Sequence, residues 1–342
     1  MNRWYLAEKT HYIVYGVYVR ISAQSISRVV NMVKKKLKGL YAAPALPFNE
    51  DLSINENLYA GFLETFTKVR GVGGIVVNGH AGEVATLERE ERKRNIEIAS
   101  SIIPKGIDLV AGIEGLSTKG ILNGIQDAEQ AGADCALILP PFDYFPRKGM
   151  VLGSEGPLHF FKEISQSSGI PLILFQYPKF SGTSYTTETL LKIADLDAVI
   201  GIKNAVWDVE AYTEQYYALK DKVSVLAACD SPELMGMMFV GADGALIGIS
   251  NVATEKWANF VSNSTKGNYN QARDSFVSEL IPIMRYIFGN IGQSGPSFIS
   301  KTKEALRQLG IFQISKVRPP ELDVREEDKD LISKGLKLAK LL

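Results

Sequence analysis

The chain is predicted to fold as an α/β protein, a closed (β/α)8 TIM barrel followed by a C-terminal helical extension. Three observations carry that prediction. Eight short β-rich apolar runs follow one another between residues 40 and 250, each succeeded by a Gly- or Pro-containing loop and then a helical stretch. The runs are apolar throughout rather than alternating, as in parallel strands covered by helices on both faces. The first run is not followed by the G-x-G-x-x-G loop of an open doubly wound sheet, which leaves closure over eight units as the better reading.

In order, the runs are LYAAPAL (40–46), GGIVVN (73–78), DLVAGI (108–113), CALILP (135–140), PLILFQY (171–177), AVIGIK (198–203), VSVLAA (223–228) and GALIGIS (244–250). Between them ENLYAGFLETFTKVR, REERKRNIEIASSII, KGILNGIQDAEQAGA and TTETLLKIADL carry apolar residues at three- and four-residue spacing, the stripe of a helix with one buried face. After Val252 the pattern is helical only. Three units follow: a basic extension over 1–36, the barrel over 37–265, and a helical extension over 266–342, in which RPPEL (318–322) reads as a proline-stiffened linker.

The composition, 46% hydrophobic and 22% charged over 342 residues, is that of a globular protein with a substantial core. Lys and Arg number 38 and so do Asp and Glu, so no global field favours nucleic acid, and a small-molecule partner is expected. The two cysteines, Cys135 and Cys229, form no CxxC or zinc spacing; no metal site is expected, and a reducing, cytoplasmic setting fits. In residues 1–36, seven Lys and Arg oppose Glu8 alone, and the apolar stretches YIVYGVYV and VVNMV fall short of the ~20 residues a membrane span requires. That segment reads as an accessory extension, a targeting or membrane-surface helix, or sequence ahead of a start at Met32.

Barrels of this kind carry their chemistry at the C-terminal strand ends. Lys203 ends the sixth run, where partial desolvation would lower its pKa and leave a neutral, nucleophilic amine suited to a Schiff base with a ketone or aldehyde. The alternative is a side chain snorkelling to solvent. The loop NGHAGEVATLEREER (78–92) follows the second run. Glycines at 73, 74, 79 and 82 would permit unusual backbone conformations and bring amides close to a carboxylate. His80 within it is either an acid or base near neutral pH or a loop imidazole bonded to backbone. Glu83 would do no more than stabilise the start of the helix behind it. Trp207 is either pocket wall or packing before the next helix.

Taken together, GHAGE after the second strand, LILFQYP…G at the fifth and GIK after the sixth resemble the dihydrodipicolinate synthase and N-acetylneuraminate lyase family, with APALPF, TLEREER and GALIGISNV extending the likeness over residues 38–320. The resemblance implies a Schiff-base lyase, an aldolase or dehydratase, that binds pyruvate or another 2-oxo acid through Lys203, with an aldehyde as a further partner. It further implies a homo-oligomer, dimer or tetramer, with no cofactor beyond the covalent lysine adduct. Substrate binding falls on Gly79, His80, Ala81, Gly82, Phe175, Gly182 and Leu246.

The chain departs from that family where protons move. The two hydroxyl-bearing loop residues become His80 and Ala81, the relay tyrosine 28 residues before the lysine becomes Phe175, and an arginine for a second carboxylate becomes Phe180. A tyrosine given to a neighbouring subunit falls near Asp143 or Tyr144. His80, Tyr144 or Tyr177 would then take over, Tyr177 sharing a strand face with Phe175. Three readings stay open: a lyase with an altered relay, a 2-oxo-acid binder or sensor with little activity, and a barrel kept for assembly. Phe180 and Trp207 suggest an apolar pocket, whereas Ser181, Thr183, Ser184, Asn204, Asp230 and Ser250 could serve a sugar acid.

Overall fold

A computed structural model describes residues 13–14, 17–18, 35–141, 153–289 and 295–342. Eight parallel strands close into the expected barrel: β1 (Gly39–Ala42), β2 (Val72–Val77), β3 (Asp108–Ile113), β4 (Cys135–Ile138), β5 (Leu172–Gln176), β6 (Val199–Asn204), β7 (Ser224–Ala227) and β8 (Gly244–Ile247). β8 returns to pair with β1, Gly244 beside Gly39 and Ile247 beside Ala42. Each of the eight apolar runs overlaps one strand whose start lies within a residue of the run's own, the strands at Gly39–Ala42, Val72–Val77 and Val199–Asn204 reaching one residue beyond their runs.

Among the described residues eight helices wrap the strands: α1 (Glu56–Thr67), α2 (Arg89–Ile102), α3 (Thr118–Gln130), α4 (Glu155–Ser167), α5 (Thr187–Ala194), α6 (Val209–Leu219), α7 (Glu233–Val240) and α8 (Thr254–Thr265). Their starts follow local chemistry. Asn55, Ser117 and Asp208 each accept an N–H from the first turn, of Leu58, Gly120 and Ala211, supplying partners the helix itself lacks. The inward stripe of α1, Tyr59, Phe62, Leu63 and Phe66, has the spacing of one helical face.

Inside the barrel a second apolar layer fills the bore, and it dictates small residues in β2. Tyr41 lies flat across it, so a Cβ on Gly74 would sit 2.3 Å from its ring, and one on Gly73 would meet the Lys38 carbonyl at 1.9 Å. These two glycines therefore serve close packing, not loop conformation. Tyr41 donates its hydroxyl proton to Asp108 at 2.6 Å. Leu37, fully buried, closes the N-terminal mouth, with its N–H donated to Ser224 Oγ.

Beyond α8 the chain runs helically through α9 (Tyr269–Ser275) to Phe288 by way of two π-helical turns, Phe276–Leu280 and Met284–Phe288. α10 (Phe298–Gln308) and α11 (Glu326–Leu338) follow. The segment between α10 and α11 is an anchor rather than a free linker. Arg318 donates its backbone N–H to Glu83 at 3.0 Å, and its guanidinium forks onto Glu91 at 2.7 Å for each oxygen while also reaching the carbonyls of Leu52 and Thr86. Such bidentate, charge-assisted contacts fix the extension to the β2–α2 loop. No helix among the described residues is long and apolar enough to cross a membrane.

Candidate active site

Alternation along β6 decides that Lys203 points inward. Asn204 beside it faces out, donating to Gln215 of α6 at 3.0 Å, so Lys203 enters the bore between Phe175 and Leu226, its register neighbours on β5 and β7. Its Nζ stands 3.8 Å from the centroid of the Phe175 ring. Here the chain opens a cavity of about 150 Å³, lined by Gly79, His80, Ala81, Phe175, Tyr177, Lys203, Leu246 and, from other elements, Asp230, Trp207 and Phe298. Burial lowers the Lys203 ammonium to about 8, against the raising influence of the Asp230 carboxylate. At pH 7 roughly one amine in ten is then neutral and nucleophilic.

His80 and Tyr177 form the second feature. His80 opens a short turn, His80–Gly82, after β2, and its Nε2 lies 2.7 Å from Tyr177 Oη. Tyr177 packs edge to face on Phe175 with centroids 4.3 Å apart, the shared face expected from a two-residue spacing. Burial, then the charge of Lys203, pushes the His80 imidazole down to about 3, while burial raises the Tyr177 phenol. Both groups are therefore neutral. His80 is not the independent base near neutral pH that its residue type suggests; it is the hydrogen-bond partner of a phenol.

Several expectations change. The Gly82 amide donates to the Gly79 carbonyl within its own turn, and Gly182, at φ +75, turns the chain after Lys179–Ser181; neither lines the cavity. Phe180 is 75% exposed and touches the site only through Trp207, whose ring centroid is 5.6 Å from its own. Trp207 does both jobs foreseen for it, preceding α6 and lining the cavity, with φ at +58. Of the polar residues offered for a sugar acid only Asp230 lines the cavity: Asn204 faces α6, and Ser250 donates to the Ile247 carbonyl. Glu83 does not cap α2, where the Glu88 N–H donates to Glu91 instead. It is buried in an ion pair with Lys303 of α10. Tyr144 lies outside the described residues.

Two contributors have roles the sequence did not assign: Asp230 enters the sequence reading only as a polar partner for a sugar acid, and Phe298 not at all. Asp230 stands three residues beyond β7, its Oδ1 accepting the Ile249 N–H at 3.1 Å, and burial raises its carboxyl above the ordinary range. Its signal was positional, an acid at the C-terminal end of a barrel strand. Phe298 comes from the first turn of α10 and gives no local sign of its destination. Cys135 and Cys229 are both buried, their thiols pushed up to about 12 by desolvation, and no cluster suited to a metal ion occurs among the described residues.

The model of the dihydrodipicolinate synthetase family matches residues 36–339. The chain belongs to that family. It is 28% identical over 306 residues to a 4-hydroxy-tetrahydrodipicolinate synthase of Methanosphaera stadtmanae, covering 88% of this chain and 98% of the relative. A synthase of the same description from Methanothermobacter thermautotrophicus is 30% identical over 281 residues, 80% of this chain and 93% of the relative. Among solved structures the dihydrodipicolinate synthase of Thermotoga maritima superposes with a TM-score of 0.80 at 25% identity, covering 90% of this chain and all of that one. Membership of the dihydrodipicolinate synthetase family makes the chain a lyase of the class I aldolase type, a group that joins a lysine to pyruvate as a Schiff base and needs no added cofactor.

Proposed function

We propose that the protein is a Schiff-base lyase, aldolase or dehydratase, in which Lys203 captures pyruvate or a related 2-oxo acid and the Tyr177–His80 pair moves protons in place of a tyrosine at position 175. The observation that carries this is the amine itself: half-buried in an aromatic-lined cavity, over the ring of Phe175, and held at about 8. The neutral amine attacks the ketone carbon, water leaves, and the resulting iminium draws electrons from the neighbouring carbon so that its proton can depart. Tyr177 Oη carries protons over the iminium, and His80 Nε2 fixes its hydroxyl in place. The substrate carboxylate rests on the amides at the start of the His80–Gly82 turn, an interaction that needs no side chain at position 81.

Borohydride reduction in the presence of pyruvate, followed by peptide mass measurement, tests the lysine. A reduced pyruvyl adduct on Lys203 is expected, and its absence overturns the reading. An adduct without any turnover across a panel of 2-oxo acids and aldehydes would favour a binder over a lyase. The same reading has the enzyme working as a homo-oligomer in a reducing cytoplasm, which light scattering and fractionation check.

A further inference from the structure

The walls above Lys203 say what the second substrate is. The cavity beside Lys203, about 150 Å³, is of a size that admits one small ring. The lining includes Leu139, Pro178, Trp207 and Phe298, and the exposed ring of Phe180 stands edge-on to Trp207. Phe298 is held by stacking on Phe288, centroids 5.3 Å apart. Trp207 keeps a left-handed backbone at φ +58, a conformation that costs a non-glycine residue and persists where the surroundings impose it. These rings form a fixed apolar slot.

The charges point the same way. Among the described lining residues Lys203 is the one cation and Asp230 the one carboxylate. Once Lys203 has reacted and the carboxylate of pyruvate rests on backbone amides, a second carboxylate in the slot would stand beside Asp230 with no cationic partner among the described lining residues, and burying an unpaired charge is strongly unfavourable. At position 180, where the resemblance places a carboxylate-binding arginine, the ring of Phe180 stands 75% exposed against Trp207.

We propose that the second substrate is an apolar aldehyde of aromatic size, selected by Trp207 and Phe298; the proposal rests on the Schiff-base reading above. In the condensing direction the enamine carbon of bound pyruvate bonds to the aldehyde carbon, the aldehyde oxygen takes up a proton, and water releases the 4-hydroxy-2-oxo acid from Lys203. In cleavage the same carbon–carbon bond breaks, its electron pair returns to the enamine, the hydroxyl proton leaves, and the aldehyde departs. No oxidant or reductant enters either direction.

Condensation of pyruvate with benzaldehyde and with succinic semialdehyde is followed on the full-length chain by mass detection of the product, with borohydride trapping of pyruvate measured in parallel. A kcat/KM for benzaldehyde at least about tenfold above that for succinic semialdehyde is expected, a margin typical of a shaped apolar pocket. Trp207→Ala and Phe298→Ala should erase the preference through KM for benzaldehyde. Equal or better use of succinic semialdehyde overturns the proposal, as does trapping without benzaldehyde turnover. Absence of trapping instead removes the Schiff-base reading beneath it. Should the cavity variants fail to fold, Phe180→Arg alters an exposed ring only. It is expected to shift the ratio toward succinic semialdehyde, and an unchanged ratio places the aldehyde elsewhere and overturns the proposal.

Discussion

Lys203 and Phe175 are register partners on adjacent parallel strands, and the ammonium of the first stands 3.8 Å above the ring centroid of the second. The phenyl ring carries no hydroxyl with which to move a proton, yet its face still acts on the lysine. A cation over an aromatic face gains ~0.5–2 kcal/mol, and only the protonated amine collects it. Phe175→Leu keeps the apolar volume and removes that attraction. The Lys203 pKa then falls from about 8, and the midpoint of the pH dependence of pyruvate trapping moves down by roughly 0.5 unit. A midpoint that rises or stays in place contradicts the assignment.

Asp230, beyond the strand on the other side of Lys203, acts on the same equilibrium. Its charge raises the Lys203 pKa against the larger lowering by burial. Asp230→Asn keeps an oxygen for the Ile249 N–H and deletes the charge, so the protonated amine loses support and its pKa falls. More neutral lysine is present at pH 7, and trapping at that pH becomes faster than in the unaltered protein. Slower trapping there, with unchanged thermal stability, would give Asp230 a direct part in proton transfer instead.

If Tyr177 carries the proton, its hydroxyl is indispensable for turnover and dispensable for capture. Tyr177→Phe should lower kcat by ~10²–10⁴, the usual contribution of a positioned acid or base, while borohydride still fixes pyruvate on Lys203. His80→Ala acts through the same 2.7 Å contact, so the double variant is expected to lose little more than the worse single one. Additive losses would mean two separate roles.

How much of this was legible in the sequence depended on range. The eight strands and the inward lysine are local matters: apolar runs between turn signals and a period of two residues place Lys203, Phe175 and Tyr177 on one face of the bore. Phe180 escaped that logic because β5 ends at Gln176 and the turn at Lys179–Ser181 sends its ring outward. Phe298 and Lys303 reach the barrel from more than ninety residues beyond Lys203, through packing that no periodicity in α10 announces. Glu83 looked like a helix-start carboxylate because its neighbours are glutamates, and only burial distinguishes it from them.

That buried glutamate supports the last prediction. Glu83 sits at φ +54 between the His80–Gly82 and Val84–Thr86 turns, with its carboxylate held by the Lys303 ammonium and the Arg318 N–H. Lys303 also donates to the Lys316 carbonyl at 2.8 Å and lies 4.0 Å over the Phe48 ring, so α10 is tied to the loop that carries His80. Removing one member of a buried pair leaves an uncompensated charge and costs ~3–5 kcal/mol, whereas removing both can be nearly neutral. Lys303→Met should therefore lower the melting temperature far more than Glu83→Gln combined with Lys303→Met. The double variant keeps its fold but frees the loop, so His80 no longer holds Tyr177 in one place, and kcat falls while trapping of pyruvate persists. A double variant as unstable as Lys303→Met alone would mean that the ammonium is needed for Lys316 and Phe48 and not for Glu83.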